Sequence, residues 1–137
     1  MKISLIIPCY NEEEALMPLY EELSRVMASM DDYEFEALFI DDGSKDRTLE
    51  ILKKLSADDT RVKYISFSRN FGKEAAMYAG FCNSSGDYTA VMDADMQDPP
   101  SLLPESLLLF LSPPLPGSET AIHRLVHRQG RLFRKHR

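Results

Sequence analysis

Cysteine is scarce. Cys9 and Cys82 are the only two in 137 residues, far apart and outside any CxxC spacing. No disulfide framework is indicated, and each thiol is expected to be buried and reduced, as in a reducing compartment. Long apolar runs are missing as well: no stretch approaches the roughly 18 residues that a membrane span needs. Lys2 is followed by a short apolar run, but Pro8 and Glu12-Glu13-Glu14 interrupt it, so neither a span nor a secretory signal is expected in this chain. Neither GxGxxG nor GxxxxGK[ST] occurs, which argues against a Rossmann dinucleotide site and a P-loop. No internal repeat is visible. Net positive charge is lacking from the body of the chain. Of the net charge of -6, residues 118–137 contribute +5 and the part before them −11. That sign disfavours nucleic-acid binding by the body. The basic end reads either as a solvated, disordered terminus or as a contact for acidic lipid or nucleic acid.

What is present is an ordinary globular composition, 44% hydrophobic and 28% charged, in a chain the length of one domain. Ile3 to Ile7 is a near-continuous apolar run, as expected of a strand buried on both faces of a parallel sheet. Asn11 is placed to cap the following helix, with Glu13 and Glu14 in its first turn and Leu16, Leu19, Leu23, Val26 and Met30 on one stripe. Phe35 to Ile40 predicts a second strand. A second helix from about Asp46 carries Leu49, Leu52 and Leu55, and Val62 to Phe67 a third strand. Helix three runs through Glu74 to Phe81, small on one side, and Tyr88 to Met92 is strand four. This βαβαβαβ order calls for a mostly parallel sheet with helices on both faces. Leu102 to Leu111 is apolar enough for one more helix. Pro113, Pro114 and Pro116 then forbid regular structure, and residues 118–137 show no clear apolar face.

The most informative stretch is Asp93-Ala94-Asp95-Met96-Gln97. In extended backbone Asp93, Asp95 and Gln97 share one side, and their hard oxygens suit Mg²⁺ or Mn²⁺. Alone, it reads equally as an acidic surface loop. Every predicted strand end is similarly polar, however: Pro8 to Glu12, Asp41 to Ser44, Arg69 to Lys73, and Asp93 to Gln97. In an open parallel sheet that edge is where ligands bind. Tyr10-Asn11-Glu12 could be only a cap beside an aromatic, and Asp41-Asp42-Gly43-Ser44 only a turn. Functionally, the strand-end carboxylates would accept hydrogen bonds from a base or ribose. Arg69 and Lys73 are either solvated cations or phosphate ligands near a helix N-terminus. Phe71 and Tyr78 read as packing residues.

With these four loops in place, the chain resembles the family 2 glycosyltransferases of the GT-A fold, above all the polyprenyl-phosphate sugar transferases. The matching pieces are residues 6–13, 40–48, 68–76 and 92–100, colinear over roughly residues 1–105. The resemblance implies an α/β, Rossmann-like GT-A half over residues 1–110. It implies transfer of a sugar from a UDP- or GDP-sugar to a polyprenyl phosphate with inversion, at the cytoplasmic face of a membrane in a full-length enzyme. The implied nucleotide-binding set is Pro8, Tyr10, Asn11, Glu12, Asp41, Asp42, Arg69, Lys73 and Asp93. Asp93, Asp95 and Gln97 would hold Mg²⁺ or Mn²⁺. Catalytic residues of the acceptor half are absent from the chain. From about Leu111 the sequence departs from the family, so residues 111–137 are expected to be a poorly ordered tail, from a truncated or frame-shifted gene or, second, an unrelated natural extension. His123 and His127, at i,i+4 spacing with no further ligand near, read as chance.

Two other readings remain. The same loops could form a non-catalytic nucleotide-sugar-binding or oligomerisation module. A phosphotransfer domain has the same alternation, but it needs an acceptor aspartate early in the sheet and a lysine on a later strand, which this order does not supply.

Overall fold

The computed structural model describes residues 1–95 and 100–105 and the strand at residues 131–134. Strands β1 (Lys2–Cys9), β2 (Glu34–Asp41), β3 (Val62–Ser66) and β4 (Tyr88–Val91) alternate with helices α1 (Leu16–Ser29), α2 (Thr48–Asp58) and α3 (Lys73–Asn83). A 3₁₀ turn at Pro100–Leu102 and a fifth strand, β5 (Arg131–Arg134), follow. The sheet order is β3-β2-β1-β4-β5. The first four strands are parallel, and β5 pairs antiparallel with β4 at the edge.

Side-chain alternation in β1 and β2 sorts the core into two layers. Ile3, Leu5, Ile7, Phe35, Ala37 and Phe39 face the buried stripe of α1 and Leu52 and Leu55 of α2. Ile6, Leu38 and Ile40 face the other way, against Ala76 of α3. The small side of α3 has a steric reason: a Cβ on Gly80 would lie 2.4 Å from Ile6 Cγ2. The first two crossovers run outward from β1 in one direction, and the third returns to place β4 on its far side. The strand order therefore reverses between β1 and β4, and crevices form at the carboxyl ends of such a pair.

The first helix starts later than its cap signal implied. Asn11 does not cap it: residues 12–15 form a turn in which the Ala15 and Leu16 amides both donate to the Glu12 carbonyl at 3.1 Å. Helix α1 begins at Leu16 without a side-chain cap or an acidic first turn, so Glu13 and Glu14 lie outside it. Cys9 is buried as expected, with its thiol pushed well above the ordinary range by burial and by Glu12 and Asp41. Cys82 is exposed, on α3 but away from its buried Ala76 and Gly80. Tyr78 is likewise no packing residue, being 72% exposed. Phe71 is half-exposed, set edge-on to Phe67 at 5.6 Å.

Strand β5 is an element for which the sequence pattern gave no sign, within a segment expected to be poorly ordered. The rest of residues 111–137, and most of the helix expected over Leu102 to Leu111, lie outside the described residues. Leu103 is described and buried against the α1 layer. Among the described residues no helix is long and apolar enough to cross a membrane.

Candidate functional site

All four polar strand-end segments, the third through Lys73 at the start of α3, meet in one cavity of about 260 Å³, close to the lower size of small-molecule sites. Pro8, Cys9, Tyr10 and Glu12 enter from the end of β1, and Asp42 from the end of β2. Lys73 reaches in from the first residue of α3, and Asp93, Ala94 and Asp95 from the end of β4. The cavity thus lies at the reversal point of the sheet. Pro8 has no N–H to donate, and β4 has already left β1 at Ile6, so the strand loses no bond to it there.

The rim is held by loop-to-loop hydrogen bonds. Asn11 sits at φ +52°, a left-handed conformation that asparagine tolerates. Its amide donates to Ser44 Oγ at 2.9 Å, and its Oδ1 accepts from the Lys45 amide at 2.9 Å. The Glu12 amide donates to Thr48 Oγ1 at 2.9 Å, and the Glu13 amide to Asp46 Oδ2 at 3.2 Å. The Arg47 amide returns a bond to Glu13 Oε2 at 3.2 Å. Residues 11–13 and 44–48 are therefore one clasp, and it sets where Tyr10 and Glu12 stand. Ser44, Asp46 and Thr48 were not singled out from sequence for this role; Ser44 and Asp46 read only as caps of the following helix.

The two adjacent aspartates divide the work. Asp41 is buried and turned inward, accepting from the Ser44 amide at 3.1 Å and from Ser66 Oγ at 3.5 Å; it does not line the cavity. Asp42 lines the cavity and accepts from the Phe71 amide at 2.7 Å and the Gly72 amide at 3.1 Å. A carboxylate has about four lone-pair sites, so these two bonds leave acceptor capacity. Gly43, at φ +71°, passes so close to the next loop that a Cβ would sit 2.2 Å from the Arg69 carbonyl carbon. Arg69 is exposed and stacks on Phe71 at 4.5 Å, away from the cavity lining. Of the two cations named from sequence, Lys73 alone faces the cavity, with its ammonium 2.5 Å from Asp93 Oδ1.

Electrostatically the cavity is crowded with negative charge. The Glu12 carboxyl is raised above its ordinary range, first by burial and then by Asp95, Asp46 and Asp93. Among the described residues no three Asp, Glu, His or Cys side chains are grouped closely enough to hold a metal on their own. Asp93 and Asp95 supply two carboxylates to one wall, and Gln97 lies outside the described residues. One or two carboxylates completed by phosphate oxygens and water is a usual Mg²⁺ arrangement, so this oxygen-only donor pair fits such an ion beside a diphosphate.

The chain matches the family model described as Glycosyl transferase family 2 over residues 4–115. It is 46% identical over 137 residues to the bactoprenol glucosyl transferase of Shigella phage SfV, covering 98% of this chain and 43% of that enzyme. That alignment reaches into residues 111–137, whereas the family model ends at residue 115. The chain spans less than half the length of that relative. Among solved structures, the mannosyltransferase PcManGT from Pyrobaculum calidifontis, in complex with GDP-Man and Mn²⁺, superposes with a TM-score of 0.74 at 16% identity over 96% of this chain and 44% of that one. S. aureus TarS 1-349 in complex with UDP-GlcNAc gives 0.63 at 24% identity, covering 80% of this chain and 31% of that one. These likenesses establish the GT-A fold. Kinship rests on the family model's match to most of the chain: it belongs to glycosyl transferase family 2.

Proposed function

We propose that this chain is the nucleotide-sugar-binding portion of an inverting glycosyltransferase that moves a sugar from a UDP- or GDP-sugar to a polyprenyl phosphate. The observation that carries the reading is the single cavity at the β1/β4 reversal point, walled by loops from three strands and the start of α3. Tyr10, 44% exposed, offers a ring face to a base. Pro8 and Glu12 complete that side, and the free lone pairs of Asp42 suit base N–H or ribose hydroxyl groups. Lys73, at the N-terminus of α3, is placed for the diphosphate, where exposed helix amides also favour anions. Asp41 and Arg69 lie outside the cavity lining, and their contacts shape the loops around it. Asn11 acts in the same way, through the clasp.

Asp93 and Asp95, with Gln97, would hold Mg²⁺ or Mn²⁺. When bound, that cation would neutralise charge on the departing nucleoside diphosphate. An acceptor phosphate oxygen forms its bond to the anomeric carbon as the bond from that carbon to the diphosphate breaks. One displacement of this kind inverts the centre and asks for no protein nucleophile. The bactoprenol substrate named for the phage relative supports a lipid phosphate as acceptor, and hence a reaction at the inner face of a membrane. The fold neighbours were solved with GDP-Man in one case and UDP-GlcNAc in the other, so both bases stay in the proposal.

Titration calorimetry with UDP, UDP-glucose, GDP and GDP-mannose, with and without Mn²⁺, tests it. One base series should bind, and Mn²⁺ should tighten it by about tenfold or more, an increment that Asp95→Ala removes. Nucleotide binding indifferent to Asp95→Ala would refute the metal assignment. Failure of every nucleotide to bind would refute the donor-site reading itself.

A further inference from the structure

Lys73 is the first residue of α3, and its ammonium crosses the cavity to the end of β4, where it meets Asp93 Oδ1. Lys73 is 60% exposed and Asp93 35%, so this is a half-open ion pair on a flexible stem, free to exchange partners. Its acceptor is one of the two described carboxylates assigned above to a divalent cation. The same ammonium is also the cavity's cation for a diphosphate. One lysine thus has two anionic partners, and only one of them is present before a nucleotide arrives. Even with this pair formed, Glu12 still feels Asp95 and Asp93, so the wall retains an excess of negative charge.

We propose that Lys73 is a tethered cation that occupies the Asp93 carboxylate when no nucleotide is bound and is drawn off it by the incoming diphosphate. This rests on the donor-site reading above. Its consequence is coupling. With Lys73 on Asp93, a divalent ion meets a blocked ligand and a repelling charge, so metal alone binds weakly. Once the diphosphate takes the ammonium, Asp93 is released and the phosphate oxygens complete the ion's surroundings. Nucleotide and metal then each raise the other's affinity by the same factor, as linkage requires. Lys73 is a positioning residue here, setting the order in which charges assemble.

The test is a titration of the 137-residue chain with Mn²⁺ alone, read by the electron paramagnetic resonance of free Mn²⁺, then repeated with saturating UDP or GDP. Lys73→Met keeps the stem and removes the charge; Lys73→Arg keeps the charge; circular dichroism checks that both are folded. Lys73→Met should bind Mn²⁺ alone about tenfold more tightly than wild type, as expected for deleting one adjacent positive charge at a half-exposed site. The gain in Mn²⁺ affinity that nucleotide gives should shrink by about the same factor, while Lys73→Arg behaves as wild type. A folded Lys73→Met that binds Mn²⁺ no better than wild type overturns the proposal. If neither UDP nor GDP binds wild type but Lys73→Met still tightens Mn²⁺, Lys73 does shield Asp93 from metal, and the donor-site reading falls together with the exchange that rests on it.

Discussion

Glu36 offers the most demanding test of how the sheet holds its reversal point together. It lies on β2, 2% exposed, at the end of the sheet opposite the cavity. Its Oε1 accepts from Ser4 Oγ of β1 and from the Ser85 amide, both at 2.5 Å, and its Oε2 from Ser85 Oγ at 2.9 Å and Lys63 Nζ of β3 at 3.1 Å. Lys2 Nζ stands 3.5 Å away. One carboxylate therefore ties β1, β2, β3 and the turn leading into β4. Burial alone would raise its pKa, but the bonds from Ser4, Ser85 and Lys63 outweigh that and hold it at about 2, against an ordinary 4.5. At full value that difference corresponds to about 3 kcal/mol. Lys63 is 55% and Lys2 31% exposed, so screening trims the lysine share and leaves about 2 kcal/mol for Glu36→Gln near neutral pH. A depressed carboxyl stabilises above its unfolded pKa and loses that contribution as pH falls toward the folded one. The gap between wild type and Glu36→Gln, from urea unfolding, should therefore be full at about pH 7 and less than half as large by about pH 3. Asp59, held at about 2 chiefly by Arg61, titrates in the same window but cancels in the difference. A gap below about 0.5 kcal/mol, or one that stays constant with pH, would refute the reasoning.

Two further substitutions address the cavity rim. Gly43→Ala must overcome a left-handed φ and a backbone clash with Arg69 and Asn70, and should cost at least about 2 kcal/mol in urea unfolding; a cost near zero would mean the two loops are not locked together. Thr48→Val removes a fully buried hydroxyl that accepts from the Glu12 amide and donates to Asp46 Oδ1 at 2.6 Å. It should lose about 1–3 kcal/mol and speed hydrogen exchange at the Glu12 amide, with Thr48→Ser restoring both; an unchanged exchange rate would separate the clasp from Thr48.

The layers of the fold were readable because each strand carries its own instruction. Ile3 to Ile7 is apolar on both faces, as a central parallel strand must be, and the three- and four-residue spacing of Leu16, Leu19, Leu23 and Val26 admits one packing side. The meeting of Tyr10, Asp42, Lys73 and Asp93 was readable for a topological reason: parallel crossovers deliver every strand's carboxyl end to the same edge. What escaped were features whose cause is distant in sequence. Asn11 has the side chain of a helix cap, but its Oδ1 accepts instead from the Lys45 amide across the sheet edge. Asp41 and Asp42 are indistinguishable as letters, and only the pleat turns one inward and the other into the cavity. Glu36 interrupts an apolar strand, yet its partners lie 27 to 49 residues away or more than 30 back along the chain. Strand β5 has four residues, too few to establish a period, and it exists by pairing with β4.

The two ends of this sheet handle buried and half-buried acid in opposite ways, and that contrast supports the place proposed for the donor site. At the amino end, Glu36 is matched by hydroxyls, an amide and two lysines, and its pKa falls. At the carboxyl end, Glu12, Asp42, Asp93 and Asp95 line one cavity with Lys73, and the pKa of Glu12 rises. Among described residues, the first arrangement completes itself from within the chain, so it can only stabilise. The second keeps like charges close together at some cost to folding, and a fold retains such a cost where something from outside offsets it. The cation and diphosphate proposed above would do so, because they would add positive charge to the acidic wall while phosphate oxygens engaged the lysine that shields it.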